Sequence, residues 1–207
     1  GRRPEDAFHL VIPSMPGFGF PTPVVGDTDW TMARVARAYD VLMRDLGYDS
    51  YGIHGSDGGA MVGRELAVLD PEGFLGAHVL QLFSFPSGAP GEMDGFGEKE
   101  LAALGHLQWF QSVGAYNTMN ASRPQTMAAG LADSPVAVLA YHELFESFRN
   151  RTSLVTADQV LTQATPYSLT HPYAPAARSH YAAQPSAPAP VARRGPFRLC
   201  VSPAASP

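Results

Sequence analysis

A single cysteine, Cys200, stands in the whole chain. No disulfide can therefore close within it, and no multi-cysteine metal site can form. The count fits a reducing compartment, and a cytoplasmic location is the expectation. Runs of lysine or arginine are also missing, and the net charge is -5, so there is no electrostatic footprint for nucleic acid or an anionic membrane. No apolar run approaches the roughly 20 residues that a membrane helix needs, and no charged start leads into an apolar secretion segment. The chain opens GRRPEDAFHLVIP, without an initiator methionine, so residues upstream of Gly1 are expected. Neither a metal nor a cofactor is expected, and small neutral partners suit the composition best. What the chain does have is apolar content, 45% of 207 residues, enough for one domain with a real core.

Several segments show clear periodicity. The run FHLVIP, residues 8–13, closed by proline and followed by a Gly/Pro loop, predicts a buried strand. Residues 31–47 place Met32, Val35, Ala36, Tyr39, Leu42, Met43 and Leu46 on one helical face, with Thr31 as N-cap and Gly47 as stop. SYGIHG then predicts a second strand, AMVGRELAVL a helix and GAHVLQL a third strand. Such alternation indicates βαβ units on a parallel sheet covered on both faces. From about Glu98 onward helices dominate, in EKELAALGHLQWFQSVGAY, SPVAVLAYHELFESF and ADQVLTQATPYSL, with Ser134 as an N-cap before Pro135. The expected division is a sheet core over residues 1–97, a helical subdomain over 98–183 and an irregular Pro/Ala-rich tail over 184–207.

The most informative stretch is GIHGSDGGAMVG, residues 52–63. A strand turning sharply into a helix around small-x-nucleophile-x-small is a nucleophile elbow, whose central residue is held at strained dihedrals and projects into a site. Small residues are expected two positions either side, where strand and helix backbones nearly touch. Centring on Asp57 puts Gly55 and Gly59 there; centring on Ser56 would put the bulky His54 in one of those places. Asp57 is therefore selected. A carboxylate nucleophile attacks saturated carbon and forms an ester, so the substrate needs a strained or good leaving group such as an epoxide or an alkyl halide. The simpler role for Asp57 is a helix cap.

FHLVIPSMPGFGF, LGYDSYGIHGSDGG and YNTMNASRPQTMAAGLADSPVAVLAYHELFESF together resemble epoxide hydrolases of the α/β-hydrolase fold, in particular the microsomal-type branch, over about residues 8–183. The RPQT and DSP patterns separate this family from haloalkane dehalogenases, which share an elbow aspartate. The resemblance implies a partial α/β-hydrolase fold followed by a helical lid, acting on a small apolar epoxide. It makes Asp57 the nucleophile, Tyr116 and Tyr181 the lid tyrosines that hydrogen-bond the epoxide oxygen, and the N–H of Gly58 one half of the oxyanion hole. Phenols suit that task because they donate without carrying charge at neutral pH. Gly58 stands where the family usually has tryptophan. Phe18 and Phe20, in MPGFGF, are pocket-lining candidates.

The family also uses a histidine with an acidic partner to hydrolyse the ester, and a His-Gly-x-Pro loop for the other half of the oxyanion hole. None of His54, His78, His142, His171 and His180 has the expected context for that base, and residues 190–207 contain neither histidine nor acid. Pro166 and Pro172 interrupt the last expected lid helix. The expectation is thus an incomplete or frame-shifted chain with impaired turnover. The alternatives are a dehalogenase-like enzyme and a non-catalytic remnant, and open sheet edges are expected to promote association of copies.

Overall fold

A computed structural model describes residues 3–20, 30–80, 89–142, 155–182 and 199–201. The chain divides into two compact units, one made of Gly1–Asp27 with Gln125–Ala177, the other of Thr28–Pro124 with Arg178–Pro207.

The second unit holds the sheet. Its first helix, α1 (Met32–Asp45), starts where expected, because the hydroxyl of Thr31 accepts a hydrogen bond from the Arg34 N–H at 3.3 Å. It stops at Gly47, whose φ of +82° lies in the left-handed region. Val35 and Ala36 are buried. So is Asp40, which accepts from the Tyr51 hydroxyl at 2.8 Å and pairs with Arg44. This bond ties α1 to the first residue of β1 (Tyr51–Gly55), since a buried carboxylate needs its lone pairs filled. Burial, and next the bond to Asp40, push the Tyr51 phenol far above its ordinary pKa.

Helix α2 (Gly58–Leu69) follows β1 and leads to β2 (Phe74–Val79), which pairs with β1 in parallel, as a βαβ unit must. The register slips between Tyr51 and Gly52, after which Gly52 faces Gly76, Ile53 faces Ala77 and His54 faces His78. Ala60 on α2 packs on Ala77 and Val79, with Ile53 beside them. A methyl group at Gly63 would stand 3.4 Å from Ile53, so the helix lies close on this face of the sheet. The other face carries Gly52, His54, Gly76 and His78; Gly52 and His54 are exposed. The covering expected on both faces is therefore seen on one among the described residues. Helices α3 (Glu98–Val113) and α4 (Ala115–Ser122) meet at Gly114, which breaks what the sequence suggested as one helix.

Two strand expectations change. Residues 8–13 form no strand: Phe8, Leu10 and Ile12 are 87, 79 and 87% exposed. The run has the right composition, but a strand exists only with a ladder partner, and none pairs with it among the described residues. The third strand comes instead from the tail, where β3 (Leu199–Val201) pairs in parallel with β2. The sheet order is β1-β2-β3. The rest of the expected irregular tail, 184–198 and 202–207, lies outside the described residues, as does 143–148 of the expected helix SPVAVLAYHELFESF.

Among the described residues, the first unit is α-helical apart from its N-terminal segment. Helix α5 (Pro124–Asp133) opens at its boundary, and α6 (Pro135–His142) follows Ser134, whose hydroxyl accepts from the Ala137 N–H at 3.3 Å as an N-cap should. Helix α7 (Ala157–Thr170) begins with a reciprocal capping box between Thr156 and Gln159. It continues through Pro166 instead of breaking there. The hydroxyls of Thr165, Ser168 and Thr170 donate to carbonyls of the same helix, Leu161, Ala164 and Pro166, and support that segment. His171 ends α7 at φ 48°, Pro172 is buried, and α8 (Tyr173–Ala182) begins in this unit. Ala128, Leu131, Val138, Ala164 and Tyr173 form the core. Gly17, at φ +90°, lets the loop of residues 14–20 press on α8: a Cβ there would stand 3.0 Å from Cβ of Pro175.

Candidate active site

The turn from β1 into α2 is tight because Gly55 has no side chain. A Cβ on Gly55 would stand 2.3 Å from the carbonyl oxygen of Gly59, 2.4 Å from its carbon and 2.8 Å from the N of Ala60, all backbone atoms that cannot swing aside. At Gly59 no atom of the described residues lies within 4 Å of such an atom. The requirement for a small residue is thus real two positions before Asp57 and absent two positions after it. The Leu80 N–H donates to the Gly55 carbonyl at 3.1 Å and fixes the end of β1 against β2.

Between these points Asp57 sits at φ 49°, ψ -124°, a positive φ on a residue other than glycine. Such a conformation costs on the order of 1–3 kcal/mol and persists only where the surrounding fold imposes it. A capping aspartate would accept a hydrogen bond from the first N–H groups of α2; Asp57 makes no such bond. Its side chain is exposed, as is that of Ser56. Gly58 is the first residue of α2, so its N–H points out of the helix beside Asp57, at the end where the helix dipole favours negative charge.

The remaining candidates are spread. Tyr116, half-buried, is the second residue of α4 in the same unit as Asp57. Tyr181 lies in α8 by its backbone. Phe18 is half-buried and Phe20 is 82% exposed, both on the Gly17 loop of the other unit. The structure brings Asp57 and Gly58 together at one turn. It places Tyr116 on α4, Tyr181 on α8, and Phe18 and Phe20 on the Gly17 loop.

Two features escaped the sequence. One is the pairing of His54 with His78, whose Nδ1 atoms are 2.7 Å apart with the rings stacked at 4.8 Å. Cross-strand register creates it, and neither residue's neighbours in sequence signal it. The other is a tyrosine pair in the helical unit, Tyr167 and Tyr173, with centroids 6.1 Å apart. Burial raises both phenols, Tyr173 to about 12. An apolar spacing alone could have placed these two in the core, but not against each other. No group of three or more His, Cys, Asp or Glu suited to a metal occurs among the described residues.

No protein-family model matches the sequence. Among known proteins, a Stigmatella aurantiaca protein assigned to the epoxide hydrolases is 36% identical over 192 residues, covering 87% of this chain and 42% of that protein. The juvenile hormone epoxide hydrolase of Bombyx mori is 31% identical over 160 residues, 71% of this chain and 34% of that one. Of solved structures, Aspergillus niger epoxide hydrolase superposes with a TM-score of 0.70 at 30% identity, over 84% of this chain and 45% of that chain. The chain spans less than half the length of these relatives. No described helix is long and apolar enough to cross a membrane. Strand, elbow, helix and these likenesses agree: the chain is a homologue of the epoxide hydrolases of the α/β-hydrolase fold.

Proposed function

We propose that this chain carries the nucleophile and part of the lid of an epoxide hydrolase, and that Asp57 opens a small apolar epoxide. The observation that carries the reading is the backbone at Asp57: strained, exposed and free of any capping bond, on a chain homologous to epoxide hydrolases. One carboxylate oxygen of Asp57 attacks a ring carbon, the ring C–O bond breaks as the ester bond forms, and the freed alkoxide takes a proton from Tyr116 or Tyr181. The donor matters because an alkoxide leaves poorly unless it is protonated as it forms. Water then adds to the ester carbonyl as it gives up a proton, the Gly58 N–H holds the oxyanion, collapse releases the diol and restores the carboxylate, and the proton released returns to the tyrosinate left by the first step. The resemblance to epoxide hydrolases puts forward Phe18 and Phe20 as pocket-lining residues.

The second step needs a base. His54, the histidine closest in sequence to Asp57, is engaged with His78, and the other histidines lack the family's context. The chain by itself therefore forms the ester and hydrolyses it slowly. Incubation with excess styrene oxide tests this: about one equivalent of ester per chain should form, followed by little diol. Sustained production of many diols per chain would overturn the impaired second step, and absence of any ester would overturn the role of Asp57. Release of halide from an alkyl halide, with no reaction on the epoxide, would favour the dehalogenase chemistry instead.

A further inference from the structure

Asp57 is exposed and is followed by Gly58, which is half-buried. Round the Cα–C bond, the Cβ of an L-residue stands about 120° from that residue's own nitrogen. The ψ of -124° at Asp57 therefore brings its Cβ within a few degrees of eclipsing the Gly58 nitrogen. In a helix the same two atoms stand about 80° apart round that bond, and in an antiparallel strand about 105°. Eclipsing is what a five-membered imide ring demands, because Cβ, Cα, the carbonyl carbon and the next nitrogen must lie nearly in one plane. Gly58 has no side chain to shield its nitrogen, and as the first residue of α2 its N–H lacks an intrahelical partner. No capping bond holds the Asp57 carboxyl away from it.

We propose that Asp57–Gly58 is a self-modification site, where the Gly58 nitrogen closes on the Asp57 carboxyl to a succinimide that hydrolyses in part to isoaspartate. The nitrogen adds to the carboxyl carbon, the C–OH bond breaks, and the hydroxyl departs as water with the amide proton. Water then reopens the ring. Opening at the side-chain carbonyl restores aspartate; opening at the main-chain carbonyl reroutes the backbone through Cβ, which lengthens the tight turn and removes the side-chain carboxylate. The fold has already met the torsional part of the barrier. If the strain held at Asp57 is what closure would otherwise cost, the ring forms about 5- to 150-fold faster than at a relaxed Asp–Gly pair. An ester on Asp57 closes faster still, since an alcohol leaves more readily than water from a carboxyl. The C–N bond then forms as the ester C–O bond breaks, and the diol departs with the amide proton. That ester route rests on the nucleophilic role proposed for Asp57; closure of the free carboxyl does not.

The chain holds one other Asp–Gly pair, Asp94–Gly95, also exposed, which serves as an internal reference. The full chain is aged without epoxide, folded in buffer or unfolded in urea, and peptide mapping with fragmentation that tells isoaspartate from aspartate follows both positions. In the folded chain Asp57 should isomerise about 5- to 150-fold faster than Asp94, through a species one water lighter, and in urea the two rates should converge. Equal rates in the folded chain, or a lead of Asp57 that persists in urea, would overturn the proposal. A second sample is first esterified with styrene oxide and then freed of it. Its Asp57 ester should pass to the same water-deficient species sooner than the untreated chain does, releasing one diol per chain. An ester that outlasts cyclisation of the untreated chain would overturn the faster ester route. If no ester forms while the folded chain still shows the lead of Asp57, the nucleophilic role fails and the modification site stands.

Discussion

Substituting Gly55 by alanine sets a severe steric demand against a clear control. The new methyl carbon would enter 2.3 Å from the oxygen and 2.4 Å from the carbon of the Gly59 carbonyl, and 2.8 Å from the Ala60 nitrogen. All three belong to the first turn of α2, which packs by Ala60 on Ala77 and Val79. Relief therefore requires β1 and α2 to separate by close to an ångström at a buried contact. Overpacking of this kind costs about 1–3 kcal/mol where side chains can yield, and the upper end is expected here because only backbone is available to move. Gly59→Ala meets nothing within 4 Å and lies in a helix, where alanine gains about 0.5–1 kcal/mol over glycine. Two chemically identical changes four residues apart should thus differ by roughly 3–4 kcal/mol with opposite signs. Urea unfolding followed by circular dichroism reads the difference as a change of midpoint at constant slope. Equal midpoints for the two variants, or a stable Gly55→Ala, would refute the argument that close backbone approach shapes the elbow.

Two further outcomes follow from buried tyrosines. Tyr51→Phe leaves the buried Asp40 carboxylate one donor short and should cost about 1.5–3 kcal/mol, as for hydrogen bonds to charged groups; a loss below about 0.5 kcal/mol would mean that water replaces the phenol. Burial raises the Tyr173 phenol from 10.0 to about 12. A group whose folded pKa is raised contributes stability that is whole below its unfolded value and is lost as pH rises through the folded one. Melting temperature should therefore hold up to about pH 10 and fall from there to about pH 12, and Tyr173→Phe should make that fall shallower. An unchanged alkaline slope would contradict the assignment.

What could be read from the sequence was local. Thr31, Ser134 and Gly47 carry their roles in their own chemistry, and each caps or stops a helix where expected. Asp57 was distinguished from Ser56 by spacing alone, and the backbone at Asp57 is strained as an elbow residue's would be. Pairing was not legible. Residues 8–13 have strand composition but no ladder partner among the described residues, while Leu199–Val201, in a segment rich in alanine and proline, finds one on β2. Pairing between elements distant in sequence is set by what else is present to pair with, which no short window contains. The same holds for His54 and His78, separated by 24 positions in sequence and joined by register. Gly59 shows the reverse: the small-residue pattern suggests two constraints, and among the described residues a steric one falls at Gly55 and none at Gly59.

The central claim is that Asp57 is the residue that bonds to substrate. Peptide mapping by mass spectrometry after exposure of the chain to styrene oxide tests it most directly, because the ester marks its own position. The adduct should lie on Asp57 alone, and Asp57→Asn, with no carboxylate to attack, should carry none while remaining folded. An adduct found on Ser56, on a histidine or on Cys200, or one that persists in Asp57→Asn, would contradict it.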